Sequence, residues 1–287
     1  MNPDPDTIGL ASPAVFACPQ GMPVTVVGSA LAAIGLTGPR PVLILVGGAA
    51  NLDEGVAVRL RPLFRDLVPV LDRLGAAVID GGTHVGVMAL MGEARQRASG
   101  RFPLIGIAPR GRVKAPARCS PDCLDESQLP VAGSAGLMPG STANGGPVTD
   151  RRFGSAPERD AGKEPRVALD PHHSHFLLVP GYHWGDESPW LMAAADWLAS
   201  GARTLMLVAG GGEITRRDVQ CRLGQAGRVL ALAGSGGTAD ALVAWRRGEG
   251  PPPWDAQSVL DPAMIEVLDW MSARDQLLRL VAQAIST

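Results

Sequence analysis

Four short apolar runs in this 287-residue chain end in glycine clusters: Gly47-Gly48-Ala49, Gly81-Gly82-Thr83, Gly210-Gly211-Gly212 and Gly234-Ser235-Gly236-Gly237-Thr238. Glycine lets backbone N–H groups approach an anion closely, and a helix starting there adds unpaired donors and partial positive charge worth ~0.3–1 kcal/mol per contact. Such turns can cradle a phosphate or diphosphate. Tight strand-to-helix turns also need glycine for steric reasons, so each cluster taken singly admits both readings. Four on one sheet edge point to a nucleotide. Neither G-x-G-x-x-G nor G-x-x-x-x-G-K-[ST] occurs at these turns, which leaves ordinary dinucleotide dehydrogenase and NTPase chemistry unsupported.

Side chains beside the turns add a second layer. His84 follows Gly82-Thr83, where an imidazole can donate to phosphate or simply pack at a helix start. Arg110 offers a guanidinium to a phosphate or carboxylate, or stands as a solvated loop residue. Tyr182, His183 and Trp184 follow a strand and can stack on a base. His172, His173, His175 and His183 are dense enough to suggest a metal, but they lack the H-x₃₋₅-H spacing of a zinc half-site, and Cys119 and Cys123 have no second cysteine pair. No metal site is expected.

These residues need a scaffold that brings the turns to one edge. Short β-branched runs alternate with helical periods, the βαβ signature of a parallel sheet. The runs are Val24 to Val27, Val42 to Val46, Ala77 to Asp80, Leu104 to Ala108, Phe176 to Val179, Thr204 to Val208 and Val229 to Leu232. Val56, Leu60, Leu63, Phe64, Leu67, Leu71 and Leu74 define a helix stopped by Gly75. Ser188-Pro189 opens a helix through Leu191, Ala194, Ala195 and Leu198 to a stop at Gly201, and Asp261-Pro262 repeats the device for a C-terminal helix towards Ile285. Ile265, Leu268, Met271, Leu278 and Val281 on that helix form either an oligomer seam or an intramolecular contact. From about 112 to 167 the chain is rich in Pro, Gly and Ser, with eight basic and seven acidic residues and no period, and reads as a surface insertion near the ligand edge, passive or lid-like.

Composition narrows the partners. With 26 basic against 28 acidic residues and only 12 aromatics, neither a nucleic-acid surface nor a polybasic membrane anchor is expected. Thr7 to Pro39 carries no charge, but Pro13, Pro19 and Pro23 interrupt it and Met1 to Asp6 is acidic, so neither a signal peptide nor a membrane span is read. Four dispersed cysteines are expected reduced, and the protein cytoplasmic.

The order of motifs carries a family likeness. Val42 to Leu52, Ile79 to Met88 with Gly92-Glu93-Ala94, Ile105 to Gly111, His175 to Val179, Glu187-Ser188-Pro189, Gly210 to Gly212 and Gly234 to Gly236 with Ala239-Asp240 resemble the N-terminal homology region of TRPM channels. That region is the LSDAT branch of the SLOG superfamily, related to the LOG phosphoribohydrolases and to DprA. The likeness runs from about Pro41 to Ala244 and implies a Rossmann-like parallel sheet with helices on both faces, a three-layer sandwich over about residues 1–250 with a helical extension over 251–287. It further implies a pocket for a nucleotide or NAD-derived ligand such as ADP-ribose, free rather than as a resident cofactor. LOG enzymes carry P-G-G-x-G-T-x-x-E, whereas here Glu213-Ile214 stand where Gly-Thr would and Arg216 at the glutamate's place, so a binding or sensing role is favoured over hydrolysis. Glu213 is placed to contact a ribose hydroxyl, or is set there by helix N-terminal charge preference. The expected ligand set is the four clusters without Gly237, together with His84, Arg110, Tyr182, Glu187 and Glu213. The alternative is an N-glycosidic or phosphate hydrolase using Glu213 or Asp240.

Overall fold

Val42, Ile44 and Val46 point to one side of their strand and Leu43 and Leu45 to the other, and all five are buried. Only a strand covered on both faces carries such an unbroken apolar run. The computed structural model describes residues 12–49, 52–114, 165–254, 260–269, 278–279 and 281–283. Eight parallel strands form one sheet: β1 Ala14–Ala17, β2 Val42–Gly47, β3 Ala77–Asp80, β4 Leu104–Pro109, β5 His175–Val179, β6 Thr204–Ala209, β7 Arg228–Ala233 and β8 Ile265–Asp269. Their spatial order is β1-β5-β4-β3-β2-β6-β7-β8, every neighbouring pair parallel.

Helices on both faces complete three layers: α1 Val27–Ala33, α2 Glu54–Leu74, α3 Gly86–Arg97, α4 Ser188–Ala199, α5 Glu213–Gly224 and α6 Gly237–Arg247. Helices α1, α4, α5 and α6 bury Leu31, Leu191, Val219 and Leu242 on one face. Helices α2 and α3 bury Leu60, Phe64 and Met91 on the other. Asp53 caps α2 by accepting from the Val56 amide at 3.1 Å, and Gly75 ends it at φ +60°. Asp53→Ala is therefore expected to lower the unfolding free energy by about 1 kcal/mol in a urea titration. An unchanged midpoint would place the cap elsewhere.

The strand order fixes where a ligand can enter. From β2 the chain leaves through α2 on one face towards β3, while from β6 it leaves through α5 on the opposite face towards β7. The loops diverge, opening a crevice at the carboxyl ends of β2 and β6, the topological switch point.

Two expected elements differ. Val24 to Val27 forms a short 3₁₀ turn running into α1, because Val27, Ala30 and Leu31 find burial against the sheet as a helix. The C-terminal helix expected from Asp261-Pro262 starts instead as a 3₁₀ turn, capped by Asp261 through the Ala263 amide, and the chain then pairs with β7 as β8; among the described residues only 278–279 and 281–283, near its expected end, are helical. Ile265 and Leu268 thus lie on opposite faces of the sheet, and Val281 is buried on the second face, so they do not form a free oligomer seam. Met271, Cys119, Cys123 and most of the insertion lie outside the described residues. Among the described residues no helix is long and apolar enough to cross a membrane.

Candidate functional site

Three of the glycine turns meet at the switch point. Gly47, Gly48 and Ala49 after β2, Gly210, Gly211 and Gly212 after β6, and Gly234, Ser235, Gly236 and Gly237 after β7 line a crevice of about 640 Å³. Helices α5 and α6 both start at its edge. Among the described residues the amides of Gly211, Gly212, Glu213 and Gly237 have no hydrogen-bond acceptor, so two helix N-termini present open donors to the same space. The loops hold one another: Gly210 N donates to Ser235 Oγ at 2.9 Å, and Thr238 donates through its amide to the Gly211 carbonyl and through Oγ1 to the Gly212 carbonyl. Gly237, at φ +54°, must be glycine, because a Cβ there would lie 2.2 Å from the Gly211 carbonyl oxygen.

Carboxylates at the crevice are already engaged. Asp240 accepts from the amides of Gly234 and Gly236, Asp53 caps α2, and Glu213 is ion-paired with Arg216 and Arg217. Their charge is spent locally. An anion entering between the two helix starts meets donors rather than bare negative charge.

Behind this crevice lies a second cavity of about 260 Å³, sharing Gly47, Ala49, Ile214 and Thr215 with it. Its walls are apolar, from Leu45, Met88, Leu191, Ile214 and Trp184, with Gly81, Thr83 and Val85 from the turn after β3. Two acids line it, Glu187 at the start of α4 and Asp218 on α5, both more than nine-tenths buried. Burial pushes the Glu187 carboxyl up to about 7, against amide hydrogen bonds that include Gly185 at 2.7 Å, and the charges of Asp218 and Asp186 push it further. Burial likewise raises Asp218 to about 7, with Ser188 opposing. Its Oδ1 has no hydrogen-bond partner among the described residues.

The histidines build a different structure. Buried His173 lies between Asp80 (2.8 Å to Nε2) and Asp170 (3.1 Å to Nδ1), and Asp170 also bonds His84 Nδ1 at 2.8 Å. Burial would discharge His173, but the two carboxylates hold it up to about 9 as an imidazolium. Burial also works against the Asp170 charge, yet the hydrogen bonds from His173, His84 and the His172 amide keep its carboxyl below the usual range. His175 goes the other way, down to about 4, through burial and the nearby Arg95 and Arg40. These rings and carboxylates join the end of β3 to the segment entering β5, and among the described residues no group of three or more His, Cys, Asp or Glu side chains is placed to hold a metal ion.

Several expected contacts stand elsewhere. Gly82 does not line the crevice: a Cβ there would lie 2.7 Å from Gly106 Cα, so this glycine serves strand packing. His84 does not line it either; it borders a separate open depression with Arg61 and Glu93. Arg110 and Tyr182 line a further cavity beside β1, where Arg110 donates to the Cys18 carbonyl at 2.8 Å. Thr238 ties loops together rather than facing the space. Glu187 does line the inner chamber.

Asp218 was absent from the expected set, and a signal for it exists. Counted residue by residue, the place of the LOG glutamate falls on Arg217 rather than Arg216. A shift of one register sets Gly211-Gly212 on the glycine pair, Thr215 on the threonine and Asp218 on the glutamate. A family model described as SLOG in TRPM, prokaryote (LSDAT) matches residues 40–139 and 150–273, which include both cavities and all eight strands but β1. The chain belongs to this LSDAT family. It is 29% identical over 163 residues to transient receptor potential cation channel subfamily M member 2 of Rattus norvegicus, and 29% identical over 170 residues to that of Mus musculus. Each match covers 54% of this LSDAT chain and 9% of the channel, so the chain spans about a tenth of the curated relatives it matches. A structural-genomics X-ray structure titled TM1055 is similar at a TM-score of 0.48 and 16% identity, covering 85% of this chain and 99% of that one.

Proposed function

We propose that this LSDAT protein binds a nucleotide or NAD-derived metabolite such as ADP-ribose in the switch-point crevice, as a cytoplasmic binding or sensing protein. The observation that carries the reading is the pair of helix N-termini, α5 and α6, opening with unpaired amides onto one glycine-lined space. A diphosphate fits that chemistry, since its charge is spread over several oxygens that accept from backbone N–H groups. Family membership in a region shared with a channel supports the same class of ligand.

The test is a thermal-shift panel of ADP-ribose, NAD and nucleoside mono- and diphosphates. A ligand bound only by the native state stabilises by RT ln(1 + [L]/Kd), about 2.7 kcal/mol at a hundredfold excess over Kd, which raises Tm by several degrees. No shift at millimolar concentration sinks the nucleotide reading.

A second reading rests on Asp218. A carboxyl raised to about 7 beside Glu187 suits general acid–base work on a bond held between cradle and chamber. The binding reading expects no release of base or phosphate from nucleoside monophosphates, NAD or ADP-ribose followed by chromatography. Turnover abolished by Asp218→Asn with binding retained would promote the hydrolase; turnover abolished instead by Glu213→Gln would restore Glu213, which here is exposed and paired with arginines.

A further inference from the structure

Beside β1 lies a cavity that the nucleotide crevice does not use. It opens at the carboxyl ends of β1 and β5, measures about 340 Å³, and shares no lining residue with the two chambers of the switch point. In the sheet β5 stands three places and β1 four places from β2, which at ~4.8 Å per strand puts the cavity roughly 14–19 Å from the phosphate cradle. The bridged pair Val113 and Val167 separates it from the inner chamber: Val167 lines the chamber, whereas Val113 and Arg166 line the outer cavity.

Its charge is one-sided. Arg110 and Arg166 line it, and among the described residues no carboxylate does. Asp186, against Gly181, spends its Oδ2 on the amides of Tyr182 and His183 at 2.9 and 3.0 Å. Arg110 donates through Nη1 to the Cys18 carbonyl at 2.8 Å, which fixes its direction and leaves the other N–H groups of its fork. Arg166 makes no hydrogen bond or ion pair among the described residues.

The wall carrying Arg110 is built firmly. The Arg110 amide donates to the Val179 carbonyl and the Gly111 amide to that of Gly181, each at 2.9 Å, so the pairing of β4 with β5 continues past both strands. A Cβ on Gly111 would lie 2.6 Å from Tyr182 Cδ1, so glycine here lets the tyrosine ring close on the turn. The floor is apolar, from Ala17, Val113 and Leu178. Because the amides of Arg110, Gly111 and Tyr182 are all engaged, recognition falls to the guanidiniums, unlike the open amides of the crevice.

We infer that this cavity is a second ligand site, independent of the nucleotide crevice, that takes a small dicarboxylic acid with one carboxylate on each guanidinium and its hydrocarbon chain over Leu178 and Val113. Two positive charges without an acid match a dianion. A planar guanidinium meets a carboxylate through two parallel N–H···O bonds. A lone exposed ion pair contributes little, but a short chain joining two carboxylates makes the second pairing intramolecular. The chain also gains contact with the apolar floor, which inorganic phosphate cannot.

The experiment uses the full chain labelled with 3-fluorotyrosine. Tyr182 is the only tyrosine, so one fluorine resonance reports on this cavity. Glutarate, butyrate and inorganic phosphate are titrated at pH 7 and low salt, and glutarate again in the presence of ADP-ribose. The expected result is a saturable shift with glutarate, binding about tenfold weaker for butyrate and for phosphate, and the same glutarate Kd with ADP-ribose present. Arg166→Gln should weaken glutarate about tenfold while Tm and ADP-ribose affinity stay at the wild-type values, and Arg110→Gln should weaken it as well. No saturable shift, or an unchanged glutarate Kd in Arg166→Gln, overturns the site. Phosphate bound more tightly than glutarate overturns the dicarboxylate, and competition by ADP-ribose overturns the independence of the cavity. Failure of ADP-ribose to bind removes the nucleotide reading alone, and a glutarate shift then still supports this site.

Discussion

Gly212→Asp is expected to fold normally and to lose nucleotide affinity by about a hundredfold, ~2.7 kcal/mol. The position is chosen because the fold does not need glycine there. Gly212 sits at φ −117°, a Cβ built on it meets nothing within 4 Å, and it is the residue preceding α5. Aspartate is among the preferred residues at such a cap, so helix stability is kept or improved. The introduced carboxylate would face the amides of Glu213 and Gly237 across the crevice, occupying donors meant for an anion and repelling its charge. Gly211→Val is a poorer probe: at φ +101°, with a Cβ 2.5 Å from Thr215 Oγ1, it mixes strain with blocking. Circular dichroism and the ADP-ribose titration together decide the matter. A folded Gly212→Asp protein with wild-type affinity would remove the phosphate from the α5 terminus.

That contrast between Gly212 and Gly82 shows what the sequence could and could not convey. Central strands were legible because β2, β3, β4, β6 and β7 are buried on both faces and read as continuous apolar runs closed by glycine. Edge strands were not. Ala14–Ala17 is four residues between prolines, too short for a period, and Ile265 with Leu268 shows the i, i+3 spacing of a helix although β7 recruits the segment as a strand. The glycine turns were visible as a class, but which of them faces a ligand depends on strand order. Gly81-Gly82 follows β3, one strand away from the switch point, and its second glycine is consumed by contact with Gly106. Asp218 was legible only through a one-residue shift of the glycine motif, because a charged residue within a helix otherwise reads as solvated. Its burial follows from α5 and α4 packing side by side across the crevice loops, a tertiary fact.

Asp218→Asn is expected to make the protein more stable, by about 2–4 kcal/mol at pH 8. Both acids of the chamber have folded-state values of about 7, against ordinary values of 3.8 for Asp218 and 4.5 for Glu187, and burial is the main cause. One pKa unit corresponds to ~1.4 kcal/mol between protonation states, and a shift of about three units sets the upper end of the range. The sign follows from linkage. Between about pH 4 and pH 7 the folded protein keeps a proton on Asp218 that the unfolded chain has released, so stability falls as pH rises through that interval and the loss is complete above about 7. Asparagine matches the neutral carboxyl in shape and carries no such penalty. The gain from the substitution should therefore be small near pH 4, grow up to about pH 7 and stay constant beyond. His173, raised to about 9, contributes stability that is full below its unfolded value near 6.5 and declines as pH rises through 9, but this acts alike on both proteins and cancels in the difference. Urea unfolding of wild type and Asp218→Asn at half-unit steps from pH 5 to pH 8 measures that difference directly. Glu187→Gln should show the same rise, and the double variant should gain less than the sum, because removing the Asp218 charge relieves part of the repulsion that raises Glu187. A pH-independent loss of stability in Asp218→Asn would mean that the carboxylate is a structural anchor, and the chamber would lose its claim to be held strained for a ligand. Stability sacrificed at a cavity wall and recovered by neutralising one atom is the pattern expected of a site shaped for binding rather than for folding.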